Sequence, residues 1–245
     1  MTKSEFNYIV VGAGSAGCVL ADRLSENPDI RVLVLEAGPA DRSWKTSVPA
    51  GAKFVLQDPH LEWGYSTEPQ PHMNERRIVW PRAKVVGGCS VHNGMVYVRG
   101  HARDYDHWSQ LGLPGWSYAD VLPYFKRTEH NERGMTPYHG GEGPMRVNRG
   151  CYPNPLYDAF IEAGIQAGYS YCEDFNGAHQ EGVGRFDFNH HAGRRCGAAS
   201  SHLYPASRRP NLRLTTNAHT TRTVSYTHLR AHETDSYLVC RLLLE

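Results

Sequence analysis

The chain has 245 residues, 40% of them hydrophobic and 21% charged, with a formal net charge of +1. This is enough chain for one large domain or two small ones with a sizeable core. The near-zero charge gives no case for nucleic acid or an anionic membrane surface as partner, and no apolar run reaches the roughly 18 residues of a membrane span. The polar start, MTKSEF, does not read as a secretory signal. Six cysteines without a Cys-x-x-Cys pair read as free thiols in a reducing, cytoplasmic setting. The 14 histidines show no ligand spacing, so no metal site is expected, and His190-His191 reads as a loop pair.

Tyr8 to Val11 is a short apolar run of the kind buried in a parallel sheet. Gly12, Gly14 and Gly17 then form G-x-G-x-x-G, and Ala16 to Leu24 carries apolar residues at helical spacing. In such a turn the first glycine permits the bend, the second lets the backbone approach a pyrophosphate, and the third lets the helix pack on the strand. The N–H groups that open the helix, at Ser15 and Ala16, face the phosphates with the positive end of the helix dipole. Arg31 to Leu35 predicts a second strand, ending at Glu36, 19 residues past Gly17. A carboxylate there accepts from both ribose hydroxyls of an adenosine, and the adjoining Ala37 belongs to the same candidate site. The acid argues against a 2′-phosphate. It leaves NAD and FAD both open, and the bland alternative is a glycine-rich turn without a ligand.

Pro39 to Gln70 loses periodicity and reads as a long irregular excursion, with Trp44, Trp63 and Tyr65 packed beneath it. From Trp80 to Trp108 the pattern sharpens. Gly87-Gly88 followed by Cys89 and Ser90 offers a bare backbone that a flat ring system can approach. Asn93-Gly94 is a turn signal, Met95 to Val98 a β-like run, and Asp104, Asp106 and Trp108 fit the start of a surface helix. The loop reads as ligand-contacting, against a structural glycine turn.

Several of these segments resemble one known family. Pro81-Arg82, Lys84 to Ser90, His92 to Met95, and Arg99-Gly100 through Asp104 to Asp106 resemble the first signature of the glucose–methanol–choline (GMC) oxidoreductases, which are FAD-dependent alcohol oxidases and dehydrogenases. Trp116 with Asp120 to Lys126, and Tyr138-His139-Gly140 with Gly143-Pro144 and Arg146-Val147, resemble later segments of the family. The resemblance runs from Tyr8 to about Arg222. It implies FAD, a small-molecule alcohol as substrate, and contacts to the cofactor from Arg82, Val86, Gly87, Gly88, Ser90, His92, Asn93, Gly94, Met95 and Val96, with Thr220 near the adenine. Cys89 departs from the pattern, since many members carry a second serine there. His92 departs too: most relatives have an aliphatic residue before the asparagine, whereas in the choline oxidase branch a histidine in this position is bonded to the flavin 8α-methyl. The resemblance therefore implies two readings of His92, attachment point or simple contact.

Pro155 to Ala167 predicts an amphipathic helix with Leu156, Phe160, Ile161, Gly164 and Ile165 on its apolar side. Asp174 to Gly184 is polar and glycine-rich, and Phe186 to Asn189 alternates as a strand. Arg195, Ser200 and Tyr204 resemble a family helix, and Asn211 to Thr216 reads as a strand returning to the first domain. The expected fold class is α/β: an incomplete FAD/NAD(P)-binding Rossmann-like domain with the beginning of an α+β substrate domain. The expected divisions are residues 1–153, 154–209 and 210–222, with residues 223–245 apart. Val224 to Glu233 and Leu238 to Leu244 match codons of a sequencing-library adapter, so residues 223–245 are expected to be non-native and disordered. The family's catalytic histidine is expected beyond the end of this chain, so no residue here is assigned as catalytic. Three readings follow: a piece of an FAD-dependent alcohol or choline dehydrogenase or oxidase, a truncated FAD-binding fragment without activity, or an NAD-dependent dehydrogenase.

Overall fold

A computed structural model describes residues 6–150, 152–224 and 241–244. In chain order the elements are β1 (Tyr8–Val11), α1 (Ser15–Leu24), β2 (Val32–Leu35), α2 (Trp44–Ser47), α3 (Ala52–Leu56), α4 (Ala102–Gln110), α5 (Tyr118–Thr128), β3 (Glu129–Asn131), β4 (Met145–Arg149), α6 (Pro155–Gln166), β5 (Asp187–Phe188), β6 (His190–His191), β7 (Arg194–Arg195), α7 (Tyr204–Ala206), β8 (Leu212–Thr215), β9 (Thr220–Val224) and β10 (Arg241–Leu244). They fall into two compact units, Met1–His92 with Ala198–Glu245, and Asn93–Gly197. The compact units meet at 92/93 and 197/198, which are other positions than the expected domain divisions at 153/154 and 209/210. Backbone pairing accounts for the first: Met95, Val96 and Tyr97 bond to Asn189, Phe188 and Asp187, which ties the run after His92 to the later chain.

In the first unit β1, β2 and β8 form a three-stranded parallel sheet with β2 in the middle. Tyr8 to Val11 pair with Val32 to Leu35, and these pair in turn with Leu212 to Thr215. Val32, Val34 and Leu35 are buried, as a central parallel strand requires. The burial expected of β1 is not found: Tyr8 and Val11 are 47% and 54% exposed, because β1 is paired on one side only among the described residues. The small face of α1, Cys18 and Ala21, packs with Ala13, Val32, Val34, Val86, Ala198, Ala199, Leu203, Ala206 and Leu212 in one core. The last of these helical segments is a π-helical turn, Ala199–Leu203, that runs into α7. The excursion after Pro39 is more regular than its sequence suggests. It holds α2 and α3, then a ladder of isolated bridges, Glu62 to Ala83, Ser66 to Val79 and Gln70 to Arg76, over a small core of Val55, Ala83, Val85 and Val91.

In the second unit β3 and β4 run parallel and β5 joins β4 antiparallel. His190-His191 is the first strand of a short hairpin with Arg194-Arg195, closed by Ala192 and Gly193 at positive φ, and not a loop. α4 begins where the sequence places a helix, with a reciprocal cap between His101 and Asp104, and α5 is capped the same way by Ser117 and Asp120. α6 forms as expected, but its apolar side is only partly covered: Leu156 and Phe160 are each 73% exposed and Ile165 47%. Only Ile161 and Gly164 are half-buried, Gly164 lying against Val183. Of the segment 223–245, residues 225–240 and 245 lie outside the described residues; Thr223 and Val224 end β9, which pairs antiparallel with β10.

Candidate functional site

The glycine turn is built as its spacing implies. Gly12 sits at φ +90°, a conformation open mainly to glycine. A Cβ on Gly17 would lie 2.0 Å from Gly12 O, so only glycine lets α1 pack this close to the end of β1. Gly14 is the N-cap, and no side chain caps the helix. The donors at its start, from Ser15 onward, therefore remain for a ligand or solvent. The space around Gly12 and Gly14 where a Cβ would stand is open to 4 Å.

A second loop seats on the first. Gly87, at φ +94°, donates its N–H to Ala13 O at 2.7 Å. A Cβ on Gly88 would stand 2.8 Å from Gly14 Cα. Val86 is buried and donates to Pro39 O at 3.0 Å. The two bare backbones thus touch, which gives a cradle with no side chain between them. Ser90 is buried as a strut, its hydroxyl donating to Gly87 O at 2.7 Å and accepting from Ala198 N at 3.0 Å.

Glu36 is 6% exposed, and its carboxylate turns back onto the turn. Oε2 accepts from Ala13 N at 2.7 Å and Oε1 from Gly38 N at 2.9 Å. Each oxygen keeps a second acceptor position, the capacity a ribose hydroxyl would use. Ala37 between these bonds is half-buried. The chain after β8 closes on the same place, Ala218 N donating to Glu36 O at 2.8 Å and Asn217 N to Gly38 O at 3.0 Å. Thr220 follows, with Oγ1 buried and without a hydrogen-bond partner.

His92 ends the second loop with its side chain 7% exposed, its Nδ1 3.7 Å from Glu62 Oε2. Sequence reading missed Glu62, which lies in an aperiodic excursion with no local signal to mark it. Arg82 is not brought into the cradle by its side chain, which is exposed, bonds Pro81 O at 2.7 Å and lies over Trp80. Asn93, Gly94, Met95 and Val96 belong to the second unit. There Arg195 Nη1 holds Asn93 by its carbonyl at 2.7 Å and its side-chain oxygen at 3.0 Å. Gly94 is exposed, Met95 adopts φ +61°, and Val96 bridges to Phe188.

Burial pushes the Cys18 thiol up to about 12, so it is an inert core residue. Burial likewise lifts Asp41 to about 7, where it accepts from the Tyr204 hydroxyl. His139 lies elsewhere, in the second unit, between Glu129 Oε1 at 2.9 Å and Asp174 Oδ2 at 2.7 Å. Burial would lower its pKa, but the bonds to Asp174 and Glu129 lift it to about 9. Glu129 in turn holds Arg99 at 2.8 Å and is kept below the usual carboxylate range, its burial outweighed by bonds from His139, Asn131 and Gly140. This is a closed structural network.

A strand, an uncapped helix start, a carboxylate at the next strand end and a parallel sheet define an α/β fold of the dinucleotide-binding type. The sequence profile of the GMC oxidoreductases matches residues 6–235, and the chain belongs to that family of enzymes. It is 50% identical over 218 residues to a mitochondrial choline dehydrogenase of Mus musculus, covering 86% of this chain and 37% of that protein. Among solved structures it is similar to pyridoxine 4-oxidase from Mesorbium loti, with TM-score 0.85 and 33% identity over 90% of this chain and 46% of that one. It is also similar to an FAD-dependent oxidoreductase from Chaetomium thermophilum, with TM-score 0.81 and 32% identity over 90% of this chain and 40% of that one. The chain thus spans 37–46% of the length of these relatives. FAD is the cofactor that family membership supports, and the residues present fit it: an uncapped helix start, a side-chain-free double-glycine cradle and the orphaned Thr220 hydroxyl.

Proposed function

We propose that this chain holds the nucleotide part of FAD in an enzyme that oxidises the CH–OH group of a small alcohol, choline or another primary alcohol. The contact of Gly88 with Gly14 at the uncapped start of α1 carries this reading. Ser15, Ala16 and Gly17 would donate to the pyrophosphate, and Glu36 would accept from the ribose hydroxyls. Gly87 and Gly88 would lie under the flat ring, and Thr220 at the adenine end. Bound FAD supplies an acceptor for the hydride that leaves the alcohol carbon. The identity to a choline dehydrogenase supports the substrate class. His139 is not proposed as the base for the hydroxyl proton, since it is already bonded to two carboxylates. Among the described residues no helix is long and apolar enough to cross a membrane. The cytoplasm is proposed as the chain's compartment, on the cysteine spacing alone, which shows no Cys-x-x-Cys pair.

His92 is proposed as a flavin contact and candidate attachment point. In that role its ring nitrogen would hold the methyl edge of the flavin. Acid denaturation of the FAD-loaded protein tests it: flavin in the pellet supports the bond, and flavin wholly in the supernatant excludes it. The open apolar side of α6 favours a second reading, in which the chain binds FAD without turnover. Assay of alcohol-dependent flavin reduction separates the two.

A further inference from the structure

We propose that Glu62 is a positioning residue for His92, one that keeps the imidazole proton on Nδ1. The proposal rests on the reading that His92 faces the flavin. Glu62 is fixed by backbone: it bridges to Ala83, and its Oε1 accepts from Trp63 N at 3.1 Å and from Arg82 N. The other oxygen, Oε2, is buried without a hydrogen-bond partner, in a side chain only 9% exposed. A buried carboxylate oxygen in that state is unfavourable unless a positive or dipolar group faces it. The group that faces it is His92 Nδ1, at 3.7 Å, on a ring that is itself 7% exposed. At this separation the attraction is that of a charge for an N–H dipole, not of a formed hydrogen bond. It favours the Nδ1–H tautomer and makes Nε2 the basic nitrogen of the ring, since which nitrogen is protonated follows from what the other faces. The backbone of His92 is held independently, its N–H donating to Cys89 O at 3.3 Å, so Glu62 acts on the ring alone. The pair therefore presets which imidazole nitrogen carries the proton, before any cofactor arrives.

The test reads the tautomer directly. Nitrogen chemical shifts of the isotope-labelled chain are recorded with and without FAD at a pH where the ring is neutral, and His92→Gln identifies the His92 signals. The expected result is Nδ1 protonated and Nε2 not, in both samples. Glu62→Leu should reverse the two, towards the Nε2–H form that free imidazole side chains prefer. Glu62→Gln, whose amide oxygen still accepts, should keep the wild-type pattern. An Nε2–H tautomer in the wild-type chain overturns the proposal without any variant, and so does an unchanged pattern in a folded Glu62→Leu. Attachment of flavin is judged separately by acid release, so a wild type that frees all its flavin would defeat attachment while the tautomer result still decides the role of Glu62.

Discussion

Glu36 and Gly88 show how much one side chain, or the lack of one, decides in this protein. Glu36 ties the glycine turn to the end of β2 through Ala13 N and Gly38 N. Hydrogen bonds to a charged group contribute about 1.5–3 kcal/mol each. Glu36→Gln keeps the size but loses the charge and one acceptor oxygen. It is expected to weaken FAD binding by roughly ten-fold, about 1.4 kcal/mol, in a fluorescence titration. Equal affinity in the variant would mean that the carboxylate does not serve the ribose. Gly88 stands at φ +53° with Gly14 Cα in the path of any Cβ. Gly88→Ala should lower stability by about 1–3 kcal/mol, as overpacking does, and should push the two loops apart. Denaturant melts report the first effect and flavin binding the second.

Among the elements, β3 carries the charged core of the second unit. Glu129 and His139 are essentially inaccessible to solvent, with Arg99 and Asp174 as outer partners. Removing one member of a buried pair costs about 3–5 kcal/mol, so His139→Gln is expected to lower the unfolding free energy by that order. The pH dependence has a definite sign. The His139 imidazole is lifted by its carboxylate partners from an ordinary 6.5 to about 9. Its contribution is complete below pH 6.5 and is lost as pH rises through about 9. Wild-type stability should fall across that interval, and His139→Gln should flatten the slope. β1, α1 and β2 were legible in the sequence because their signals are local: a strand, three glycines at fixed spacing and a helix follow one another without a gap. The seating of Gly88 on Gly14 was not, since it joins residues far apart in the chain. Glu62 was hidden for the same reason, reaching His92 across a bridged segment whose sequence has no period. The helical spacing of α6 gave its position but not its cover, because periodicity shows which side is apolar and not what packs there.

Among the described residues the molecule presents two compact units, and α6 leaves apolar side chains in solvent. Leu156 and Phe160, one turn apart on α6 and each 73% exposed, form the kind of exposed patch that marks an interaction surface or an association liability. The chain is expected to bind a hydrophobic dye and to self-associate with rising concentration in sedimentation runs, and Phe160→Glu should reduce both. A monomeric chain that ignores the dye would contradict that expectation. Residues 223–245 carry a separate prediction: reading the source DNA past Arg222 should give adapter sequence, and an uninterrupted gene encoding this tail would refute it. The family match reaches residue 235, into that segment, which makes the DNA reading decisive for where the family sequence stops. Gly12 to Gly17 and Gly87-Gly88 are proposed to form one cradle for FAD. Titration of the purified chain with FAD, followed by flavin fluorescence and repeated with NAD as competitor, tests it most directly. Saturable one-to-one binding that survives excess NAD and is lost in Gly88→Ala is the predicted result. Absence of saturable binding, displacement by NAD, or undiminished binding in Gly88→Ala would contradict it.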